Sequence, residues 1–184
     1  MLKIVGGALK GRRLKTYKGN VIRPTSEKIR EAIFDILTSF FPEGAVLDLF
    51  AGTGSMGIEA LSRGTRKAVF VEDNPRIISL LRKNISACQI EDRVEVITLS
   101  VTKGLKLLQS RDDKFRIIFL DPPYEGNWVG RTLLDISDAH IVTNDGIVIA
   151  EHSSKEMVKS SYGNLVLDDR RKYGQTEVSF FICL

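Results

Sequence analysis

The sequence predicts an α/β fold: a doubly wound, seven-stranded, mostly parallel sheet that ends in an antiparallel hairpin, preceded by a small N-terminal β-hairpin and a helix. From residue 45 to residue 160, short runs rich in Val and Ile alternate with helical patterns, as in parallel sheets covered by helices on both faces. Residues 164–184 then contain two apolar runs joined by a turn, with no room for a helix between them, which predicts the hairpin.

The predicted elements follow from hydrophobic spacing and from helix start and stop signals. The first 20 residues predict a hairpin, and residues 23–40 predict a helix capped by Thr25 or Ser26. Strands are then expected at 45–50, 67–72, 94–99, 115–121 and 146–152, and helices at 55–63, 75–88, 103–110, 129–137 and 154–160. We expect one structural domain, in which residues 1–43 pack as a basic extension on a core of residues 44–184.

Bulk composition is that of a globular protein, with 43% hydrophobic and 27% charged residues. No apolar run reaches the ~18 residues of a membrane span, and the N-terminus lacks the apolar block of a secretory signal. We therefore expect a soluble, cytoplasmic protein, and a monomer. The two cysteines and two histidines have no metal-ligand spacing, so no metal site is predicted.

Positive charge is concentrated in residues 1–30, the basic segment, which carry nine basic side chains and one acid. The whole chain has a net charge of +4, so the remaining 154 residues carry −4. A run of basic residues alone is typical of a solvated face. Here glycines at 6, 7, 11 and 19 indicate a hairpin whose backbone can lie close to a partner, which favours contact with a polyanion such as RNA, where each neutralised phosphate releases a counterion. The candidate RNA-binding residues are Lys10, Arg12, Arg13, Lys15, Arg23 and Thr25.

A glycine-rich turn follows the first core strand in "DLFAGTGSMGIEA", where Gly52, Gly54 and Gly57 fit G-x-G-x-x-G. A strand–turn–helix context and a downstream acid, Glu72, favour a nucleoside ligand over a turn without a ligand, since a carboxylate there can accept from both ribose hydroxyls. Asp48 would repel a pyrophosphate but suits an ammonium group, which favours S-adenosylmethionine over NAD. The candidate cofactor-binding residues from this pattern are Asp48, Phe50, Ala51, Gly52, Thr53, Gly54, Glu72 and Asp73.

The fourth predicted strand ends in Asp121-Pro122-Pro123-Tyr124. In the usual strand order this end adjoins the glycine turn, at the point where ligands bind to doubly wound sheets. Asp121 and the carbonyl of Pro122 can accept the two protons of an amino group, and the prolines add no competing donor. Tyr124 offers a face for stacking a planar base or amide. We predict that these four residues hold an amino substrate; the alternative is a simple strand terminator.

These motifs resemble the class I S-adenosylmethionine-dependent methyltransferases. "GGALKGRRL", "RPTSEKIREAIFDIL", "DLFAGTGSMGIEALSRG", "LDPPY" and "YGQTEVSFF" together resemble the RsmD family, which methylates N2 of a guanine in bacterial 16S ribosomal RNA. The resemblance implies 16S rRNA or the assembling 30S subunit as partner. It also implies that the N-terminal hairpin grips RNA, that the glycine turn, Asp48 and Glu72 bind cofactor, and that residues 121–124 hold the flipped guanine.

One departure from the family lies after the third strand, where relatives often place an acid on the adenine amino group and this chain has Ser100. We assign Ser100 and Val101 to the adenine pocket. Three alternatives stay open: methylation of adenine N6 or of a glutamine amide, an NAD-dependent oxidoreductase, and a non-catalytic RNA-binding assembly factor.

Overall fold

The computed structural model describes residues 2–16, 27–40, 44–123 and 128–184, apart from the side chains of residues 39 and 40. Four predicted features therefore lie outside the described residues: Arg23, Thr25, the helix cap at residues 25–26, and Tyr124.

Eight strands form a single sheet in the order β3-β2-β1-β4-β5-β8-β7-β6. In chain order they are β1 (Ala45–Leu49), β2 (Lys67–Val71), β3 (Val94–Ile97), β4 (Phe115–Leu120), β5 (Val142–Ser153), β6 (Ser161–Tyr162), β7 (Leu165–Tyr173) and β8 (Thr176–Cys183). The first five pair in parallel, and β8, β7 and β6 add antiparallel pairs. The predicted fold is confirmed, and β6 adds a two-residue edge strand to it.

Five helices cover the two faces of this sheet: α1 (Glu27–Ile36), α2 (Ser55–Ser62), α3 (Pro75–Cys88), α4 (Val101–Ser110) and α5 (Trp128–Ala139). Short 3-10 helices follow α1 at Leu37–Phe40 and α3 at Glu91–Arg93. One core cluster joins α1, α2 and α3 through residues such as Phe34, Ile58 and Leu81. The other joins α4 and α5 through Leu105 and Leu133. The sheet is therefore doubly wound.

The predicted helix at residues 154–160 is wrong. This segment bonds to its surroundings instead of to itself: Ser154 donates its N–H to the Gln175 carbonyl at 2.9 Å, and Lys159 donates to the Tyr162 hydroxyl at 2.8 Å. Met157 is 91% exposed while Val158 is buried. A single buried apolar residue gives a short helix no face to pack, so tertiary bonds to the final hairpin decide the backbone conformation.

The sheet order reverses between β1 and β4, which are parallel neighbours with Leu49 opposite Leu120. β2 lies on the other side of β1, with Leu49 opposite Val71. The carboxyl ends of these strands therefore meet at one edge, where a doubly wound sheet forms its ligand crevice.

The arm, residues 2–16, is the first described part of the basic segment. A single antiparallel bridge joins Lys3 and Arg13, flanked by the bond from the Leu14 N–H to the Leu2 carbonyl at 2.9 Å. Leu2, Ile4 and Leu14 are buried in the same core cluster as α1, α2 and α3. The arm is thus packed on the core and exposes its basic side chains. Within the described residues, no helix is long and apolar enough to cross a membrane.

Candidate active site

The glycine loop, residues 50–54, turns the chain from β1 into α2 through left-handed backbone conformations. Phe50, Gly52 and Gly54 have φ of 58°, 56° and 78°. The Gly54 N–H donates to the Ala51 carbonyl at 2.7 Å, and the Ala51 N–H donates to the Val71 carbonyl of β2 at 3.1 Å. The loop is therefore a closed turn fixed to the end of the neighbouring strand, with a non-glycine residue, Phe50, in a conformation that L residues seldom adopt.

Crowding restricts two glycines of this motif, and Gly54 also has a positive φ. A Cβ on Gly54 would lie 2.4 Å from Leu81 of α3, and a Cβ on Gly57 would lie 2.4 Å from the Phe70 ring. A side chain at Gly54 would displace Leu81 of α3, and one at Gly57 would displace Phe70 of the sheet. The pattern read from the sequence thus serves close packing of α2 and α3 as well as access for a ligand.

Asp48 lies at the end of β1 and is only 4% exposed. Its Oδ2 accepts a hydrogen bond from the Gly57 N–H at 2.9 Å, in the first turn of α2. Burial raises the pKa of Asp48 to about 7; the Gly57 bond acts against this rise, and the nearby charge of Glu72 adds to it. The site therefore holds a buried acid that would be stabilised as a carboxylate by a cation.

Glu72, directly after β2, organises the loop from the side. Its Oε2 accepts from the Gly52 N–H at 3.1 Å, and its Oε1 accepts from the Asp73 and Asn74 N–H groups at 3.1 and 3.0 Å. Asn74 caps α3 by accepting from the Arg76 N–H. Each carboxylate oxygen has two lone pairs, so Glu72 can hold the loop and still accept from a ligand hydroxyl.

The remaining predicted cofactor residues lie at the same edge of the sheet. Ser100 is the N-cap residue of α4, without a side-chain capping bond, and Val101 is the first helical residue. Helix α4 therefore starts two residues earlier than its pattern predicted, and both residues are half-buried. Thr53 is buried at 4% exposure, whereas Asp73 is exposed.

The predicted substrate motif begins where β4 ends. Asp121 is half-buried, Pro122 is buried and Pro123 is exposed. Because Leu120 pairs with Leu49 of β1, Asp121 emerges next to Phe50, the first residue of the glycine loop. The structure thus brings Asp121 and Pro122 to the crevice edge beside the predicted cofactor loop.

An aromatic contact joins the two halves of the crevice. The ring centroids of Phe50 and Trp128, the first residue of α5, lie 6.5 Å apart at 62°. Trp128 remains 41% exposed. Trp128 therefore packs on Phe50 of the glycine loop and leaves part of its indole exposed to solvent.

Sequence reasoning missed a second acid at this edge, Glu151. In β5, Ala150 pairs with Leu120, so Glu151 aligns with Asp121 one residue further on. Residues in register share a sheet face, and neighbouring strands are ~4.8 Å apart, which places the two acids side by side. Glu151 is 6% exposed. It follows the apolar residues 147–150, and only the strand pairing shows that it adjoins Asp121.

The predicted RNA-binding side chains of the arm, Lys10, Arg12, Arg13 and Lys15, are all exposed. Buried acceptors hold the backbone beneath them. Glu59 of α2 accepts from the Val5 and Gly6 N–H groups at 2.8 and 2.7 Å, and it is itself fully buried. The arm is thus fixed to the helix that the glycine loop begins.

Comparison with known proteins places this architecture among methyltransferases. The putative rRNA methyltransferase YlbH of Bacillus subtilis is 34% identical over 98% of each chain. The ribosomal RNA small subunit methyltransferase D of a Buchnera aphidicola subspecies is 30% identical over 98% of this chain and 92% of its own. A solved structure of the putative methyltransferase YhhF from Escherichia coli superposes with a TM-score of 0.86, at 24% identity over 99% of this chain and 97% of that one.

The family model described as conserved hypothetical protein 95 matches residues 2–182, which include the arm, the glycine loop and the DPPY strand end. The resemblance drawn from the sequence motifs is thereby confirmed, and the chain belongs to this family, the RsmD family.

Proposed function

We propose that this protein transfers a methyl group from S-adenosylmethionine to the exocyclic N2 of a guanine in 16S rRNA. One observation carries the proposal: the strand end that bears Asp121 and Pro122 emerges directly beside the glycine loop, because β1 and β4 are neighbours at the reversal of strand order. The site proposed to accept the N–H groups of the substrate and the site proposed to hold the nucleoside thus share one crevice. Relatives named as rRNA methyltransferases support the RNA substrate, as does the exposed basic face of the arm.

The residues of the glycine loop fit this cofactor. Asp48 is a buried acid with a raised pKa, and such a group gains from a ligand ammonium. Glu72 can accept from ribose hydroxyls. Two acids in one small site would repel a pyrophosphate, which argues against NAD. S-adenosylmethionine supplies an electrophilic methyl group at this edge of the sheet, and Phe50, Ser100 and Val101 border the same space.

The chain's own residues orient the amino group. The Asp121 carboxylate and the Pro122 carbonyl accept its two N–H protons, so the nitrogen lone pair points toward the methyl group. Nitrogen–carbon bond formation accompanies cleavage of the sulfur–carbon bond, with S-adenosylhomocysteine as the leaving group. The extra proton then leaves the nitrogen for solvent or for Asp121. Orientation of this kind can supply several kcal/mol of the barrier, so Asp121 need not be a strong base.

The position of Glu151 favours guanine over adenine. Guanine presents N1–H and the N2 amino group as adjacent donors, whereas adenine N1 is an acceptor. Asp121 and Glu151, aligned on β4 and β5, suit two adjacent donors. A carboxylate facing adenine N1 would instead be repelled. A guanine in stacked RNA must first be extruded, which costs a few kcal/mol and is least unfavourable in a loop.

Labelled-methyl transfer tests the proposal. The protein is incubated with methyl-labelled S-adenosylmethionine and with undermethylated 30S particles, naked 16S rRNA or duplex DNA. We expect label in RNA or 30S particles and none in DNA. Calorimetry with S-adenosylhomocysteine and with NAD accompanies it. Tight NAD binding without a response to S-adenosylhomocysteine would overturn the proposed cofactor, and label confined to DNA would overturn the substrate.

A further inference from the structure

Asn84, in the middle of α3, is a buried polar residue that the proposed reaction does not use. It is 1% exposed, and it lies three residues after Leu81, the side chain that packs against Gly54. Positions three apart share a helix face. Asn84 is thus directed at the glycine loop, where its Nδ2 donates to the Thr53 carbonyl at 2.9 Å.

The same amide also holds the arm. Its Oδ1 accepts from the Lys15 N–H at 2.8 Å, and its Nδ2 donates to the Lys15 carbonyl at 3.1 Å. Asn84 therefore bonds both the N–H and the carbonyl of Lys15. Its Nδ2, which donates to the Lys15 carbonyl, also donates to Thr53 of the glycine loop. Leaving any of these buried groups unpaired is unfavourable, so a movement of Asn84 that breaks one bond also disturbs the other two.

The two ends of this connection lie on the two proposed ligand sites. Lys15 exposes its side chain on the face proposed to bind RNA. Thr53 lies between the two glycines of the proposed cofactor loop. Other contacts of the arm are made by α2 and α1: Glu59 accepts from Val5 and Gly6, Ser62 accepts from Leu9, and Arg30 donates to the Lys3 carbonyl. Asn84 is a direct link, with one side chain between the arm backbone and the loop backbone.

We propose that Asn84 is a positioning residue that couples RNA binding by the arm to cofactor binding by the glycine loop. The inference rests on the proposed function, because it takes rRNA and S-adenosylmethionine as the two ligands. A ligand that fixes the Lys15 backbone stabilises the hydrogen bonds of Asn84, and these hold the Thr53 carbonyl of the glycine loop in place. A ligand that fixes the glycine loop holds the Lys15 backbone in place through the same bonds. Coupling between binding free energies is necessarily reciprocal.

The test measures the dissociation constant of S-adenosylhomocysteine with and without saturating unmodified 16S rRNA transcript. For the unaltered protein we expect RNA to tighten cofactor binding by about fivefold or more, within the usual range of such couplings. Asn84→Asp keeps the shape of the side chain and the acceptor for Lys15 but removes both donated bonds. We expect this variant to reduce the coupling ratio, which is the dissociation constant without RNA divided by that with RNA, to less than about twofold.

A pair of variants in the arm separates the hydrogen bond from the charge without altering the core. Lys15→Pro and Lys15→Ala both remove the basic side chain and should both weaken RNA binding. Only the proline removes the backbone N–H that donates to Asn84. We therefore expect only Lys15→Pro to bring the coupling ratio close to one. Asn164→Ala is the matched asparagine control: its amide bonds Ser137 and Cys183, and the ratio should stay unchanged.

Each outcome decides one claim. If both ligands bind but the ratio in the unaltered protein is near one, or if Asn84→Asp and Lys15→Pro retain it, the coupling is wrong and the proposed function stands. If the unaltered protein binds neither S-adenosylhomocysteine nor RNA, the proposed function fails first, and the coupling falls with it.

Discussion

The two halves of the crevice are built in opposite ways. In the glycine loop and the first turn of α2, backbone N–H groups donate to acids: Glu72 accepts from Gly52, and Asp48 accepts from Gly57. At the end of β4, consecutive prolines at 122 and 123 leave the backbone without N–H donors. The proposed cofactor half is thus organised by backbone N–H groups that donate to acids, and the proposed substrate half by a strand end whose two prolines offer no N–H.

Because of this difference, we expect mutations in the two halves to affect different steps of the reaction. A change on the cofactor half disturbs a hydrogen-bonded turn and should affect cofactor affinity. A change at the end of β4 removes an acceptor for the amino group and should affect the transfer step alone.

Asp121→Ala should lower kcat by about a thousandfold, because the amino group loses one of the two acceptors that orient it. Affinity for S-adenosylhomocysteine should stay within about tenfold. Single-turnover methyl transfer and calorimetry measure the two quantities. Asp138→Ala, an exposed acid near the other end of α5, is the matched control. A loss of cofactor binding equal to the loss of rate would place Asp121 in the cofactor half.

Cofactor affinity should depend on pH through Asp48. Burial raises the pKa of this acid to about 7, so it is protonated below that pH and can hold a cation only above it. Affinity for S-adenosylhomocysteine should be fully present above pH 7 and should fall by about tenfold per pH unit well below it. Calorimetry between pH 5 and pH 8 measures the profile. Asp48→Asn should bind weakly at every pH, and a profile unchanged by this substitution would assign the titration to another group.

Glu151→Gln should lower kcat/KM for RNA by about tenfold, because a neutral acceptor replaces a charged one facing the N1–H of guanine. Cofactor affinity should not change. Steady-state kinetics with naked 16S rRNA gives the ratio. Glu156→Gln, in the loop after β5, is the control for an equal change in charge. An unaltered kcat/KM in Glu151→Gln would remove this acid from substrate recognition.

Replacing Arg12 and Arg13 by alanine should weaken RNA binding by about fivefold and reduce the slope of its salt dependence by about two. Filter binding across a range of salt concentrations measures both. Lys103 and Lys106, exposed on α4 on the opposite face of the sheet, give the control double variant with the same loss of charge. If the two double variants behave alike, the arm has no special contact with RNA.

Local patterns predicted most of the core. Helix α3 runs from Pro75 to Cys88 as its proline start and apolar spacing predicted. Errors arose where distant bonds decide the conformation. The strand β5 begins at Val142, before the glycine expected to open it, and the segment after it follows bonds to Gln175 and Tyr162. No local signal encodes such partners.

The site was predictable where its residues form a motif in sequence. The glycine loop and the strand end came from spacing, and strand order brings them together. Asn84 and Glu151 were not found, because a polar residue inside a helix or an apolar strand has no local signature of its role. The hydrogen bonds that Asp48 accepts from α2 and that Glu72 accepts from the glycine loop are likewise visible only in the three-dimensional structure.

Mass spectrometry of nucleosides tests directly whether the crevice between β1 and β4 methylates the N2 of a guanine. Undermethylated 30S particles are incubated with the protein and labelled S-adenosylmethionine before digestion. We expect labelled N2-methylguanosine from a single guanine, and an initial rate about a thousandfold lower with Asp121→Ala. Labelled N6-methyladenosine, or an equal initial rate of N2-methylguanosine formation with Asp121→Ala, would contradict this expectation.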